Sequence, residues 1–124
     1  MADQYICAVM VHVANVAKGL EWYERAFPSA QRVRIAAPEF EYLSIGSVHI
    51  EIVPSDNKVT SGPAGSVVYW GVTDFCAALG HFINLGATLY RGPMEIENGF
   101  LMCQVQDPWG NCIGLRGPNE KKAS

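Results

Sequence analysis

The chain has 124 residues with a formal net charge of -3; 49% of them are hydrophobic and only 17% charged. That is enough for one domain with a core of its own, too little for two ordinary domains, and too apolar for a disordered segment. The adjacent basic pair Lys121–Lys122 lies in a polar tail and no Lys/Arg stripe accompanies it, so nucleic acid is a poor candidate partner.

The apolar stretches fall far short of a bilayer span, and the N-terminus lacks a basic-then-apolar signal pattern. No membrane partner is expected, and the expected location is the cytoplasm. The four cysteines (Cys7, Cys76, Cys103 and Cys112) show no C-x-x-C spacing and sit mostly in apolar segments. They read as small reduced core residues, with a zinc or redox role as the minority reading.

Twelve glycines and seven prolines imply many short elements. Residues 4–13 (QYICAVMVHV) are β-rich and predict a strand. Asn15 is a candidate cap for the helix after it, in which Val16, Leu20, Tyr23 and Phe27 recur at helical spacing before Pro28 stops it. Residues 32–36 (RVRIA) suggest a second strand. EYLSIGSVHIEIV then carries two alternating runs around Gly46–Ser47, a β-hairpin signal. Residues 55–65 (SDNKVTSGPAG) are polar and rich in turn formers, as a linker is.

After the linker the pattern starts again. SVVYWGVTD predicts a strand ending on a second cap, Asp74. FCAALGHFINLGA predicts a helix ending at Gly86, and TLYRG a further strand. GFLMCQV and NCIGL are two strands joined by Asp107-Pro108-Trp109-Gly110-Asn111, which has strong turn chemistry. The expected architecture is therefore α+β, a single domain of two βαβββ modules: module one over about 4–54, a linker over 55–65, module two over 66–116 and a polar tail over 117–124. The repeat is one of pattern rather than of letters. The alternation of directions makes strands one and four of each module parallel neighbours.

At this point the sequence resembles the vicinal oxygen chelate superfamily, the glyoxalase, bleomycin-resistance and dioxygenase proteins. The resemblance rests on the doubled element order, on Trp22–Tyr23 in a capped helix, on Leu85-Gly86-Ala87 ending the second helix, and on the 107–111 turn before the last strand. It spans roughly residues 5–116 and implies mixed sheets around a central cavity. In metal-dependent members of that family the cavity holds a divalent ion, bound from the first and last strands of each module. The matching positions here are Ala8, Glu51, Val67 and Gly114. Glu51 alone bears a ligating side chain, where such cations take three or more. The expectation is no metal, no cofactor, and no metal-dependent glyoxalase or dioxygenase chemistry. If Ala8 is level with Glu51, His12 and His49 stand roughly 20 Å apart and do not share an ion.

Strand parity sorts the residues by face. If Glu51 faces the cavity, so do His49 and Val53, with Ser44, Tyr42 and Phe40 opposite them. Leu43, Ile45, Val48, Ile50 and Ile52 then lie under the helix. The same rule sends Ala8, Met10 and His12 inward, with Cys7, Val9, Val11 and Val13 under the helix. In module two it sends Val67, Tyr69, Cys112, Gly114 and Arg116 inward, with Phe100, Met102 and Gln104 fitting best on the strand between.

Three readings of function follow. The first is a binding protein whose metal-free cavity takes a small cationic or aromatic molecule, held by Phe40, Tyr42, His49, Glu51, Tyr69, Met102, Cys112 and Arg116. Bleomycin-resistance members of the resembled family act by such sequestration. The second is a lyase- or isomerase-type enzyme with Glu51 as its catalytic general base, helped by Tyr69 or His49. The third is an interaction domain without a small ligand, in which Glu51 is merely paired, with Arg116 a candidate partner. A sheet face this apolar needs cover, and the resemblance adds an expected homodimer.

Overall fold

The computed structural model of the chain describes residues 6–36 and 39–119. Residues 4 and 5 of the expected first strand, and Lys121–Lys122 in the expected tail, lie outside the described residues. The chain divides into two compact units, Met1–Ser61 and Gly62–Ser124.

The first unit contains β1 (Ala8–Val13), α1 (Val16–Ala26), β2 (Gln31–Ala36), β3 (Glu39–Ile45) and β4 (Val48–Pro54). Its sheet has the order β1-β4-β3-β2, with β1 parallel to β4 and the other pairings antiparallel. Asn15 starts the helix from an extended backbone, its Oδ1 accepting the Lys18 amide at 3.0 Å. Such a cap satisfies one of the orphan amides of the first turn, and its loss costs ~1 kcal/mol. The buried stripe of α1 is Gly19, Leu20, Trp22, Tyr23 and Ala26. Val13, Leu43, Ile50 and Ile52 are the buried apolar positions of the sheet face that α1 covers, with Val9, Val11, Ile45 and Val48 half-buried toward its margins. Gly19 is a point of close approach: a Cβ there would come within 2.9 Å of methyl groups of Val13 and Ile52.

The second unit contains β5 (Tyr69–Gly71), α2 (Phe75–Asn84), β6 (Thr88–Glu95), a one-turn 3-10 helix (Glu97–Gly99), β7 (Phe100–Gln106) and β8 (Cys112–Pro118). The sheet order β5-β8-β7-β6 repeats that of the first unit, again with the first and last strands parallel. Asp74 caps α2 through the Ala77 amide at 3.1 Å. At the other end the Gly86 amide donates to the Ile83 carbonyl and the Ala87 amide to the Phe82 carbonyl, with Gly86 at φ +96°. This is a Schellman ending, which needs a residue at ease with positive φ. Phe75, Phe82, Cys103, Val105, Ile113 and Leu115 make the core of this unit.

Several local expectations are corrected. Strand β5 is only three residues, Tyr69–Gly71, rather than all of 66–74. Gly62 and Gly65, both at positive φ, steer the chain before it, so Val67 precedes the strand. Strand β6 runs past Gly92 to Glu95, through a cis Gly92–Pro93 bond and two shifts of register. Proline is tolerated there because β6 is an edge strand, where a missing amide interrupts no inner ladder. Cys7 is exposed rather than under the helix, Cys76 and Cys112 are half-buried, and only Cys103 is a true core residue. All four are free thiols.

Candidate ligand-binding faces

Each sheet has one face covered by its helix and one open face, and the candidate residues lie on the open faces. In the first unit, pairing puts Ala8 level with His49, Met10 with Glu51 and His12 with Val53. This register differs from the expected one, in which Ala8 stood level with Glu51. The slip is two residues, so every side chain keeps its face. It brings His12 and His49 to four residues apart along the parallel pair, about 13 Å rather than about 20 Å, still too far to share an ion. Among the described residues, no three His, Cys, Asp or Glu side chains form a metal-holding group.

The hairpin pairs Ser44 with His49 and Leu43 with Ile50. Tyr42 therefore lies diagonal to His49 on the open face, and their rings stack with centroids 4.1 Å apart at 27°. Phe40 continues the row at 6.0 Å from Tyr42. Glu51, half-buried, follows His49 on the same face of β4, beside Met10, which is 55% exposed. Within its own unit Glu51 has no ion-pair partner among the described residues, whereas Arg32 is held by Glu24 at 2.9 Å and Arg34 by Glu39 at 3.1 Å. His12 sits at the end of β1, where its charge helps lower the Asp56 carboxyl, after the larger effect of the Val59 and Lys58 amides. It is at a distance from the aromatic row.

The open face of the second unit is built differently. Antiparallel pairing of β7 with β8 sets Gln104 opposite Gly114, Met102 opposite Arg116 and Phe100 opposite Pro118. Tyr69 is level with Gly114 across the parallel pair. Its ring lies directly over that glycine: an added Cβ on Gly114 would fall 2.5 Å from Tyr69 ring atoms. The phenol thus crosses β8 and reaches β7, where the Gln104 Nε2 donates to the Tyr69 hydroxyl at 2.9 Å. The guanidinium of Arg116 stands 5.4 Å from the centre of the Tyr69 ring, a cation–π contact. Cys112 is on this face too, paired with Gln106. Burial raises its thiol, followed by the repulsion of Asp107, so it stays protonated near neutrality and is a poor nucleophile.

A metal does not fit these residues. Of the positions matching the resembled family's ligands, Ala8 and Val67 are apolar and Gly114 has a tyrosine ring in place of any side chain. Sequence reasoning put Gln104 and Gly114 on this face but gave Gln104 no binding role and took Gly114 only as a lost ligand position, not as the room for the Tyr69 ring. The available signal was a glycine in the interior of an otherwise apolar strand, which marks a close approach. A separate concavity of about 250 Å³, lined by Glu95, Ile96, Gly99, Leu101 and Asn119, shares no residue with either aromatic group.

No family model matches the sequence, and no curated protein matches it. Solved structures do. An integron cassette protein from the mobile metagenome of V. cholerae is 20% identical, with a TM-score of 0.71 over 94% of this chain and 97% of its own. A glyoxalase/bleomycin resistance protein/dioxygenase family enzyme from Burkholderia phytofirmans PsJN is 19% identical, with a TM-score of 0.71 over 90% and 96%. TnmS3, an antibiotic binding protein from Streptomyces sp. CB03234, is 18% identical, with a TM-score of 0.70 over 96% and 99%. At such identities the likeness establishes the fold: this chain has the glyoxalase/bleomycin-resistance fold, two four-stranded mixed sheets with one helix each. No helix of the described residues is long and apolar enough to cross a membrane.

Proposed function

We propose that this protein is a binding protein that takes a small, flat aromatic or cationic molecule on its open sheet faces, without a metal. The observation that carries the reading is the stacked row Phe40–Tyr42–His49 ending beside Glu51. Stacked rings offer a flat apolar platform, and a carboxylate with no ion-pair partner among the described residues of its own unit favours a positive charge on what lies there. The description of the Streptomyces neighbour as an antibiotic binding protein supports the same reading. Catalysis by Glu51 has no comparable support, since no described residue of its own unit is hydrogen-bonded to it in the way an activated base is oriented.

The test is native mass spectrometry of gently purified protein, with metal analysis of the same sample. A retained organic molecule, or a thermal shift with naphthyltrimethylammonium that shrinks in Glu51→Gln and Tyr42→Ala, is the expected result. A stoichiometric divalent ion, or indifference to every planar aromatic probe, overturns it. A homodimer in the cytoplasm belongs to the same proposal: four free thiols suit a reducing compartment, and the open faces carry apolar side chains suited to a second copy.

A further inference from the structure

We infer that Tyr69, Arg116 and Gln104 form a receptor for an anionic oxygen, a carboxylate or phenolate, carried by a flat ligand. The inference rests on the binding reading above and specifies a second polar recognition point within it, opposite in sign to Glu51.

Three features of the second unit carry it. First, the space for the phenol exists because residue 114 is glycine. Any side chain there would collide with the Tyr69 ring, the nearest ring atoms being 2.5 Å from where a Cβ would stand. Tyr69 is thereby laid across β8 instead of standing upright from β5. Second, the Tyr69 hydroxyl accepts a hydrogen bond from the Gln104 amide at 2.9 Å. A phenol that accepts keeps its own hydrogen for donation, and accepting makes it a better donor. Among the described residues that hydrogen has no acceptor. Third, Arg116 is exposed, stacks on the same ring at 5.4 Å, and has no ion-pair partner among the described residues. Stacking restrains the guanidinium while leaving its N–H groups free to bind an oxygen anion.

The donors converge on one side of the sheet. Arg116 is two residues from Gly114 on β8, about 7 Å along the strand. Met102, paired with Arg116 on the neighbouring strand, is an apolar neighbour on the same face. With the guanidinium carbon 5.4 Å from the ring centre, a carboxylate can turn one oxygen to the phenol and the other to the guanidinium, and a phenolate its single oxygen to either donor. A cation would meet Arg116 and be repelled. A neutral aromatic alcohol offers these donors an uncharged acceptor, which forfeits the charge assistance that an anionic oxygen gives.

Titration calorimetry with 2-naphthoate, the neutral 2-naphthalenemethanol and naphthyltrimethylammonium tests this. Wild-type protein is expected to prefer naphthoate over the alcohol by about tenfold, the worth of one charge-assisted hydrogen bond. Arg116→Gln abolishes that preference, and Tyr69→Phe weakens naphthoate binding about fivefold. In the unmutated protein, naphthoate shifts the Gly114 amide and the Gln104 side-chain amide in NMR spectra, a readout that needs no variant to fold. Equal binding of naphthoate and alcohol, or a preference that survives in Arg116→Gln, overturns the inference while a bound naphthyltrimethylammonium leaves the proposed function standing. If none of the three probes binds, the proposed function fails and takes the inference with it.

Discussion

Individual side chains in this protein divide by how much water they have lost. Cys103 is almost wholly enclosed by the second unit's core, and burial pushes its thiol up from 9.0 to about 11. Desolvation disfavours the thiolate, so the folded state binds its proton more tightly than the unfolded chain does. This contribution is fully present below the unfolded thiol's value and is lost as pH rises through the folded one. Stability to urea is expected to fall between about pH 9 and about pH 11, and Cys103→Ala should flatten that part of the profile. Alkylation by iodoacetamide at pH 8, followed by peptide mass spectrometry, is expected to label exposed Cys7 first and Cys103 last. Early labelling of Cys103 would mean that the core of the second unit opens more readily than its packing implies.

At the scale of elements, the turn before β8 depends on one buried carboxylate. Asp107 accepts the Trp109 amide at 2.8 Å, the Asn111 amide at 2.9 Å and the Asn111 side-chain amide at 3.0 Å. Removing it leaves two backbone donors without their acceptor, so Asp107→Ala is expected to cost ~2–4 kcal/mol in urea unfolding. Helix α1 makes the opposite kind of demand. Alanine normally improves a helix interior over glycine by roughly 0.5–1 kcal/mol. At Gly19 the added methyl meets Val13 and Ile52 at 2.9 Å. Both are β-branched and stiff, and overpacking costs ~1–3 kcal/mol, so the clash outweighs the propensity and Gly19→Ala is expected to destabilise. A neutral or stabilising result would show that α1 lifts off its sheet at little cost.

For the whole molecule, the question is what covers the apolar surface. Ile6 is 67% exposed, and every residue of edge strand β6 is exposed, including Leu89, Tyr90 and Met94. Exposed sheet edges and apolar faces invite association. With the proposed dimer, light scattering is expected to give about 27 kDa, twice the 13.5 kDa of the chain. A mass of 13.5 kDa at micromolar concentration would remove the dimer. The repeated sheet order gives each unit the same frame, but the two open faces differ in chemistry. One carries a stacked aromatic row with a carboxylate, the other a guanidinium lying on a phenol.

What the sequence by itself determined was whatever depends on neighbours along the chain. Caps at Asn15 and Asp74, the Gly86 helix ending, the 107–111 turn and the alternation of Leu43, Ile50 and Ile52 against Tyr42, His49 and Glu51 all follow from local spacing. From those the doubled β-α-β-β-β order and the α+β fold were legible. Register was not, because a two-residue slip of β1 on β4 preserves every side chain's face and so leaves no trace in the pattern. The short β5 and the run of β6 through Pro93 depended on which strands have a partner to pair with. The Tyr69–Gly114–Gln104 arrangement was decided only in the tertiary structure. It joins positions 69, 104 and 114 across three adjacent strands, and although a glycine inside an apolar strand signals a close approach, only the pairing of the strands decides that the Tyr69 ring is what fills the room.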